Sequence, residues 1–201
     1  MENSKSISNG SVFSPVEYDV TTLLSDIVDY VNNHIGEKKI NFKLDIKNDL
    51  PEKLYGDNLI IKQIICSLLR NSIKYTQEGL IKLSIEYMRD SETDIWLDII
   101  VSDYGVGINE DKLKHIFKNC DEDDIYITED ADLNLPIIKE LVQMMDGDIT
   151  AKSIEGFGSV FYVGVSQRFV TDIIIEPALE NNLCYLPESG KGAEVYEGCE
   201  E

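Results

Sequence analysis

Asp103, Gly105 and Gly107 fall in the string Asp103-Tyr104-Gly105-Val106-Gly107-Ile108, directly after a strand-like run from Ile95 to Val101. A carboxylate at a strand end can accept a hydrogen bond from the amino group of a heterocyclic base. Two closely spaced glycines let the backbone approach a flat ligand. Upstream, Asn71, Lys74 and Tyr75 lie on a helical pattern in which Gln63, Ser67, Asn71 and Lys74 are spaced i, i+4, i+8 and i+11. That spacing makes one polar stripe along an otherwise apolar helix. Such a stripe faces water or a ligand, and spacing alone leaves both open. Taken by itself, the D-x-G-x-G string is equally compatible with a plain turn closing a strand.

Composition narrows the chemistry. The chain has 201 residues, 43% of them hydrophobic, enough for the core of one domain. With 18 basic against 38 acidic residues and a net charge of -20, it is a poor partner for nucleic acid, whose phosphates need clustered Lys and Arg. The acids are densest between Asp121 and Asp132 and in the C-terminal tail. No apolar run approaches the ~20 residues that span a bilayer, and the N-terminal MENSKSISNGS is polar, so a cytoplasmic segment without membrane contact is expected. Cys66, Cys120, Cys184 and Cys199 show no C-x-x-C spacing and no His companions, which suggests neither zinc nor a disulfide framework.

The elements that must position the site residues are visible as periodicities. Residues 1–14 are Ser/Asn-rich and aperiodic, as in a disordered segment or linker. From Thr21, the residues Leu24, Ile27, Val28, Val31 and Ile35 recur at helical spacing up to Gly36. Ile40, Phe42, Leu44 and Ile46 alternate as in a half-buried strand, broken by Leu50-Pro51. Asp57 is placed to cap a helix running through Tyr75, with Gly79 ending the segment. Leu80 to Tyr87 and Ile95 to Val101 flank a polar turn, Arg89 to Asp94, and predict a hairpin. Glu110 to Phe117 predicts a short helix. Pro136 suits the first turn of another, with apolar face Ile137, Ile138, Leu141, Val142 and Met145 and a stop at Gly147. Ile149 to Ser153 and Val160 to Val165 complete the sheet. Residues 171–201 are expected to be an acidic exit linker or tail, which leaves 15–170 as the domain. This order predicts an α+β two-layer sandwich, a mixed and largely antiparallel sheet under about three helices.

The text Gln63-Ile64-Ile65-Cys66-Ser67-Leu68-Leu69-Arg70-Asn71-Ser72-Ile73-Lys74-Tyr75-Thr76 closely resembles the N-box of the histidine-kinase catalytic and ATP-binding domain, a branch of the GHKL superfamily. The resemblance runs in order from Phe13-Ser14-Pro15-Val16-Glu17-Tyr18, through Leu50-Pro51 and Gly56-Asp57, to Gly156-x-Gly158-Ser159-x-Phe161, and covers about residues 13 to 170. It implies the GHKL ATPase fold, with ATP and Mg2+ as ligands. By that resemblance Asn71 coordinates the Mg2+ that bridges the phosphates, as a neutral oxygen donor. Lys74 neutralises phosphate charge and Tyr75 stacks beside adenine. Asp103 accepts the adenine exocyclic amino group, and Gly105 and Gly107, with Ile108 after them, bring the backbone onto the base. Gly156, Gly158 and Ser159 look like the G3 box, with a plain hairpin bulge as the alternative. Ile116-Phe117 corresponds to the F-box, or is simply a core pair. Where Ser67 stands the family usually has another Asn, and the gyrase-like and MutL-like branches a glutamate base.

One motif departs from the family. Its G-x-G-L-G-L, the G2 box, aligns with Asp130-Ala131-Asp132-Leu133-Asn134-Leu135, so all three glycines are replaced, two by aspartate. Glycines there would present backbone N–H groups to phosphates at a helix N-terminus. A carboxylate about 4 Å from a phosphate charge costs on the order of 1 to 4 kcal/mol. Asp121-Glu122-Asp123-Asp124 and Glu129 add charge of the same sign, unless they recruit a further cation or lie far from the ligand. His34 and His115 are the only histidines, and neither lies in the His-Glu text of a phosphoacceptor helix. No catalytic residue is therefore expected in this chain. The expected partners are a helical dimerisation and phosphoacceptor domain and a response-regulator receiver domain. Two functions are expected from different classes: the ATP-binding domain of a bacterial two-component sensor histidine kinase with impaired ATP binding, or a non-catalytic GHKL scaffold that docks to a kinase or receiver in a phosphorelay.

Overall fold

In a computed structural model the protein is described over residues 13–118, 135–170 and 173–175. The strands are β1 (Val16–Asp19), β2 (Lys39–Ile46), β3 (Lys53–Gly56), β4 (Glu78–Arg89), β5 (Asp94–Asp103), β6 (Asp148–Ile154) and β7 (Gly158–Phe169). The helices are α1 (Val20–Ile35), α2 (Asn58–Tyr75), the single turn α3 (Glu110–Leu113) and α4 (Leu135–Met144). One sheet contains all seven strands in the order β1-β3-β7-β5-β4-β2, with β6 also on β7. Among the described residues only the β2–β4 pair is parallel, with α2 in the crossover between its strands. The expected two-layer, largely antiparallel α+β sandwich is what the chain forms.

Local chemistry explains the helix ends. Asp19 Oδ1 accepts from the Thr22 N–H at 2.6 Å to start α1, and Gly36 leaves it at φ 61. The Asp57 carboxylate, 3% exposed, accepts from the Ile60 N–H (3.0 Å) with Oδ1 and from the Ser14 N–H (2.7 Å) with Oδ2. It thus caps α2 and holds the N-terminal segment to it. The apolar stripe of α1 packs on α2, and α2 packs on β5 and α4.

Strand periodicity delivers the key polar residue. Along β5 the inward positions are Ile95, Leu97, Ile99, Val101 and Asp103, in strict alternation with half-exposed neighbours. Asp103 is the one polar member of that buried row, and the alternation turns its carboxylate under α2 rather than to solvent.

The fold departs from the sequence expectations at several points. β1 and β3 are strands that periodicity did not reveal. Each has four residues and a single buried side chain, Tyr18 in β1 and Leu54 in β3, too few to show an alternation. Helix α3 ends at Leu113 instead of Phe117, with Ile116 and Phe117 packed on the core from the turns that follow. Gly79 does not end α2; the Thr76 N–H bonds the Ser72 carbonyl at 3.0 Å as the helix stops, and Gly79 lies inside β4. Ile137 is 48% exposed and off the buried face of α4, whereas Ile138, Leu141, Val142 and Met145 are buried. Asp146 (φ 52) takes the left-handed position after α4, and Gly147 is needed for space, because a Cβ there would collide with the Gly164 carbonyl. Three residues from the expected tail, 173–175, pair with the chain near Pro51: the Ile175 N–H bonds the Leu50 carbonyl (2.9 Å) and the Glu52 N–H bonds the Ile173 carbonyl (2.8 Å). Residues 1–12, 119–134, 171–172 and 176–201, which carry most of the expected linker, the G2 text up to Asn134 and most of the tail, lie outside the described residues.

Candidate functional site

A cavity of about 320 Å³ opens between the C-terminal half of α2, the end of β5, the loop after it and the β6–β7 turn. This lies within the roughly 300 to 1,000 Å³ typical of small-molecule sites. Seven sequence-selected residues belong to this region. Asn71 and Tyr75 from α2, Asp103 from β5, Gly107 and Ile108 from the loop, and Ser159 from β7 line it. Gly105 sits between Asp103 and the Tyr75 carbonyl. Lys74 lies outside the lining, with its ammonium 5.4 Å from the Tyr75 ring centroid. Along the predicted polar stripe, Gln63 is exposed, Ser67 half-buried and Asn71 buried, so the stripe runs from water into the cavity.

Asp103 is 8% exposed. Its Oδ1 accepts from the Gly105 N–H at 2.9 Å and its Oδ2 from the Ser72 hydroxyl at 3.0 Å. Burial pushes its carboxyl above the usual carboxylate range, while the bonds from Gly105, Ser72 and the Ser159 backbone pull it back. Ionised, it is an acceptor only, aimed into a largely apolar cavity. Asn71 is 4% exposed, and its Nδ2 has no hydrogen-bond partner among the described residues. A buried amide of this kind costs free energy unless something else satisfies it. The acceptor and the unsatisfied amide on facing elements fit a polar, planar ligand with a donor at one edge.

The loop is held by three stitches. The Val106 N–H bonds the Tyr75 carbonyl (3.2 Å), the Gly156 N–H bonds the Val106 carbonyl (2.7 Å), and the Ile108 N–H bonds Ser153 Oγ (2.7 Å). Ser153 Oγ also donates to the Gly158 carbonyl (2.8 Å) and lies 2.9 Å from Ser159 Oγ. The glycines are steric requirements: a Cβ at Gly107 (φ 67) would collide with the Ile154 carbonyl, and one at Gly158 (φ 116) with the Asp103 carbonyl. One at Gly105 would stand 2.6 Å from the Tyr75 carbonyl oxygen.

Sequence reasoning passed over Ser72 and Ser153 as site residues. Ser72 is 1% exposed and next to Asn71, and its only signal was a hydroxyl at helical spacing from the buried Ile65, Leu68 and Leu69. Ser153 had none, because its partners come from a different loop. Asn109, Lys112, Glu155 and Phe161 also line the cavity without having been selected as site residues.

Comparison with known proteins agrees with this geometry. Residues 56–168 match the model of the family described as histidine kinase-, DNA gyrase B- and HSP90-like ATPase. The signal transduction histidine-protein kinase BarA of Escherichia coli (strain K12) is 29% identical over 168 residues, covering 82% of this chain and 18% of BarA. The peroxide stress-activated histidine kinase mak2 of Schizosaccharomyces pombe is 31% identical over 172 residues, covering 82% of this chain and 7% of its own length. The chain therefore spans less than a fifth of these relatives. Among solved structures, full-length ShkA in complex with AMPPNP superposes with a TM-score of 0.66 at 22% identity, over 83% of this chain and 34% of that one. The nucleotide-free catalytic domain of histidine kinase ThkA gives 0.59 at 24% identity, over 76% and 97%. The chain belongs to the histidine kinase-, DNA gyrase B- and HSP90-like ATPase family, as an ATP-binding domain of the histidine-kinase type.

Proposed function

We propose that this domain binds the adenosine part of a nucleotide firmly and its phosphates weakly, and serves in a two-component phosphorelay as the nucleotide-binding part of a sensor kinase. The observation that carries the reading is the buried Asp103 carboxylate, held by Ser72 and Gly105 at the wall of the cavity. Asp103 accepts the exocyclic amino group of adenine, Gly105, Gly107 and Ile108 bring the backbone onto the base, Tyr75 lies beside it, and Ser159, paired with Asp103 on the neighbouring strand, completes the wall at Asp103's side. Asn71 is the candidate Mg2+ ligand through its side-chain oxygen, and Lys74 the candidate phosphate cation. When bound, Mg-ATP supplies a phosphoryl group whose transfer depends on positioning and charge stabilisation. The residues here bind and orient; the acceptor histidine belongs to a separate helical domain, and a receiver domain is the expected onward partner. Among the described residues no helix is long and apolar enough to cross a membrane. The segment is assigned to the cytoplasm.

The weakness at the phosphates rests on sequence: Asp130, Asp132 and Asn134 stand where the family has glycine. The same replacement favours a second reading, a scaffold that binds no nucleotide and docks to a kinase or receiver. Calorimetric titration with Mg-ATP, ADP and adenosine, with Asp103→Asn as control, separates the two. Adenosine and ADP binding that Asp103→Asn abolishes, with little gained from Mg-ATP, supports the first reading. Silence toward all three leaves the scaffold, and tight Mg-ATP binding removes the weakness at the phosphates.

A further inference from the structure

Ser72 lies in the last turn of α2, where a serine hydroxyl ordinarily bonds back to the carbonyl four residues earlier or points to water. Here it does neither. It is 1% exposed, and its hydroxyl donates across the interface to Asp103 Oδ2 at 3.0 Å. The other carboxylate oxygen is held from the opposite side by the Gly105 N–H at 2.9 Å. Together the two donors fix the plane of a carboxylate that has no cationic partner among the described residues. Among the described residues, Ser72 is the α2 side chain that hydrogen-bonds the recognition group.

We propose that Ser72 is a positioning residue that sets the base selectivity of the cavity, holding Asp103 as a fixed acceptor for a 6-amino purine and against a 6-oxo purine. The proposal rests on the reading of the cavity as an adenine site. A carboxylate pinned at both oxygens presents its remaining lone pairs in one direction, where an amino group can donate. A 6-oxo group in the same place brings lone pair against lone pair, and neither group can turn away. Sites built around a buried hydrogen-bonding group discriminate strongly because the wrong partner leaves that group unpaired. Without the hydroxyl, Asp103 keeps only its backbone donors and its side-chain torsion is freed. It then holds the amino group less well and can swing from the oxo group, so both sides of the discrimination shrink.

The test measures the affinities of the wild-type chain, Ser72→Ala and Ser72→Thr for adenosine and inosine by calorimetry, with thermal melts to compare folding. The wild type should prefer adenosine; Ser72→Ala should lower the adenosine-to-inosine ratio by about tenfold or more. Ser72→Thr, which keeps the hydroxyl, should retain the wild-type ratio. A loss of affinity from a loosened helix alone would weaken both nucleosides equally, so an unchanged ratio in Ser72→Ala overturns the proposal. So does a ratio that falls as far in Ser72→Thr as in Ser72→Ala. If Ser72→Ala does not fold, the threonine variant decides: a retained ratio supports the proposal and a lost one overturns it. Failure of the adenine reading looks different, because the wild type then binds neither nucleoside, or binds adenosine undiminished in Asp103→Asn.

Discussion

The Lys38 ammonium donates to the Ile73 carbonyl at 2.6 Å, and further to the carbonyls of Lys74 (3.2 Å) and Thr76 (3.1 Å). A residue from the turn after α1 therefore caps the C-terminus of α2, where carbonyls lack intrahelical partners and the helix dipole favours a cation. Tyr75, within the same capped turn, lines the cavity, and its carbonyl accepts from Val106. Lys38→Met keeps most of the aliphatic stem and removes the donors. It should lower unfolding stability by about 1 to 2 kcal/mol in urea titrations and weaken adenosine binding a few-fold. Unchanged stability would show that water replaces the ammonium at no cost.

Gly107 cannot carry a side chain without moving the β6–β7 turn. Its φ of 67 is left-handed, and a Cβ would collide with the Ile154 carbonyl, a backbone atom with no rotamer to yield. Gly107→Ala should destabilise the domain by about 1 to 3 kcal/mol. It should also reduce adenosine affinity more than Lys38→Met does, because the displaced loop carries Ile108. Adenosine titration of both variants at one temperature checks the order.

Much of this site was legible because it is local in sequence. Asp103 ends an alternating strand, and alternation alone puts it on the buried face of β5. Asn71 and Tyr75 lie one helical turn apart on α2. What escaped the sequence is what crosses between elements. Lys38 and the α2 carbonyls, Ser153 with Ile108 and Ser159, and Ser72 with Asp103 are pairings fixed only by the fold. The strands β1 and β3 escaped for a related reason. They are held by pairing to each other and to β7, with Tyr18 OH donating to Gln167 at 3.1 Å, and not by any apolar period of their own.

Asp103 should cost the empty domain stability in exchange for recognition. Its carboxyl is raised above the usual range, mainly by burial, so the folded chain holds that proton more tightly than the unfolded chain. At neutral pH the ionised group opposes folding, and the penalty fades as pH falls through its folded value. Asp103→Asn should therefore be more stable than the wild type in the absence of ligand, and the gap should narrow between neutral pH and the lower pH at which the raised carboxyl has taken up its proton. Adenosine binding should be lost in the same variant. Urea titrations at the two pH values test the sign, and a gap that widens on acidification contradicts it.

Cys66 on α2 is half-buried, and desolvation pushes its thiol up to about 11 against the partial opposing pull of Lys62. The thiolate is the reactive form, so alkylation at neutral pH should be slow. Iodoacetamide labelling of Cys66, followed by peptide mass spectrometry, should keep accelerating beyond about pH 9, where an ordinary thiol levels off. A plateau near the ordinary thiol value would mean that the helix opens often enough to expose the sulfur.

On the proposed reading, the replaced glycines separate the two halves of nucleotide recognition. Adenosine would engage the Asp103 cavity and carries no phosphate, so it should be blind to charge at positions 130 and 132, whereas Mg-ATP should not. Each carboxylate near a phosphate opposes binding by about 1 to 4 kcal/mol, depending on distance and screening. Restoring glycine at all three positions, as Asp130→Gly, Asp132→Gly and Asn134→Gly together, should tighten Mg-ATP by about thirtyfold or more, since about 1.4 kcal/mol is tenfold. Adenosine affinity should stay within about twofold. The gain should shrink as salt rises, because screening weakens the repulsion being removed. Equal improvement for both ligands would mean that the glycines act by ordering the fold. No improvement for either would mean that Asp130 and Asp132 do not face the phosphates, and the weakness of that half would then need another cause.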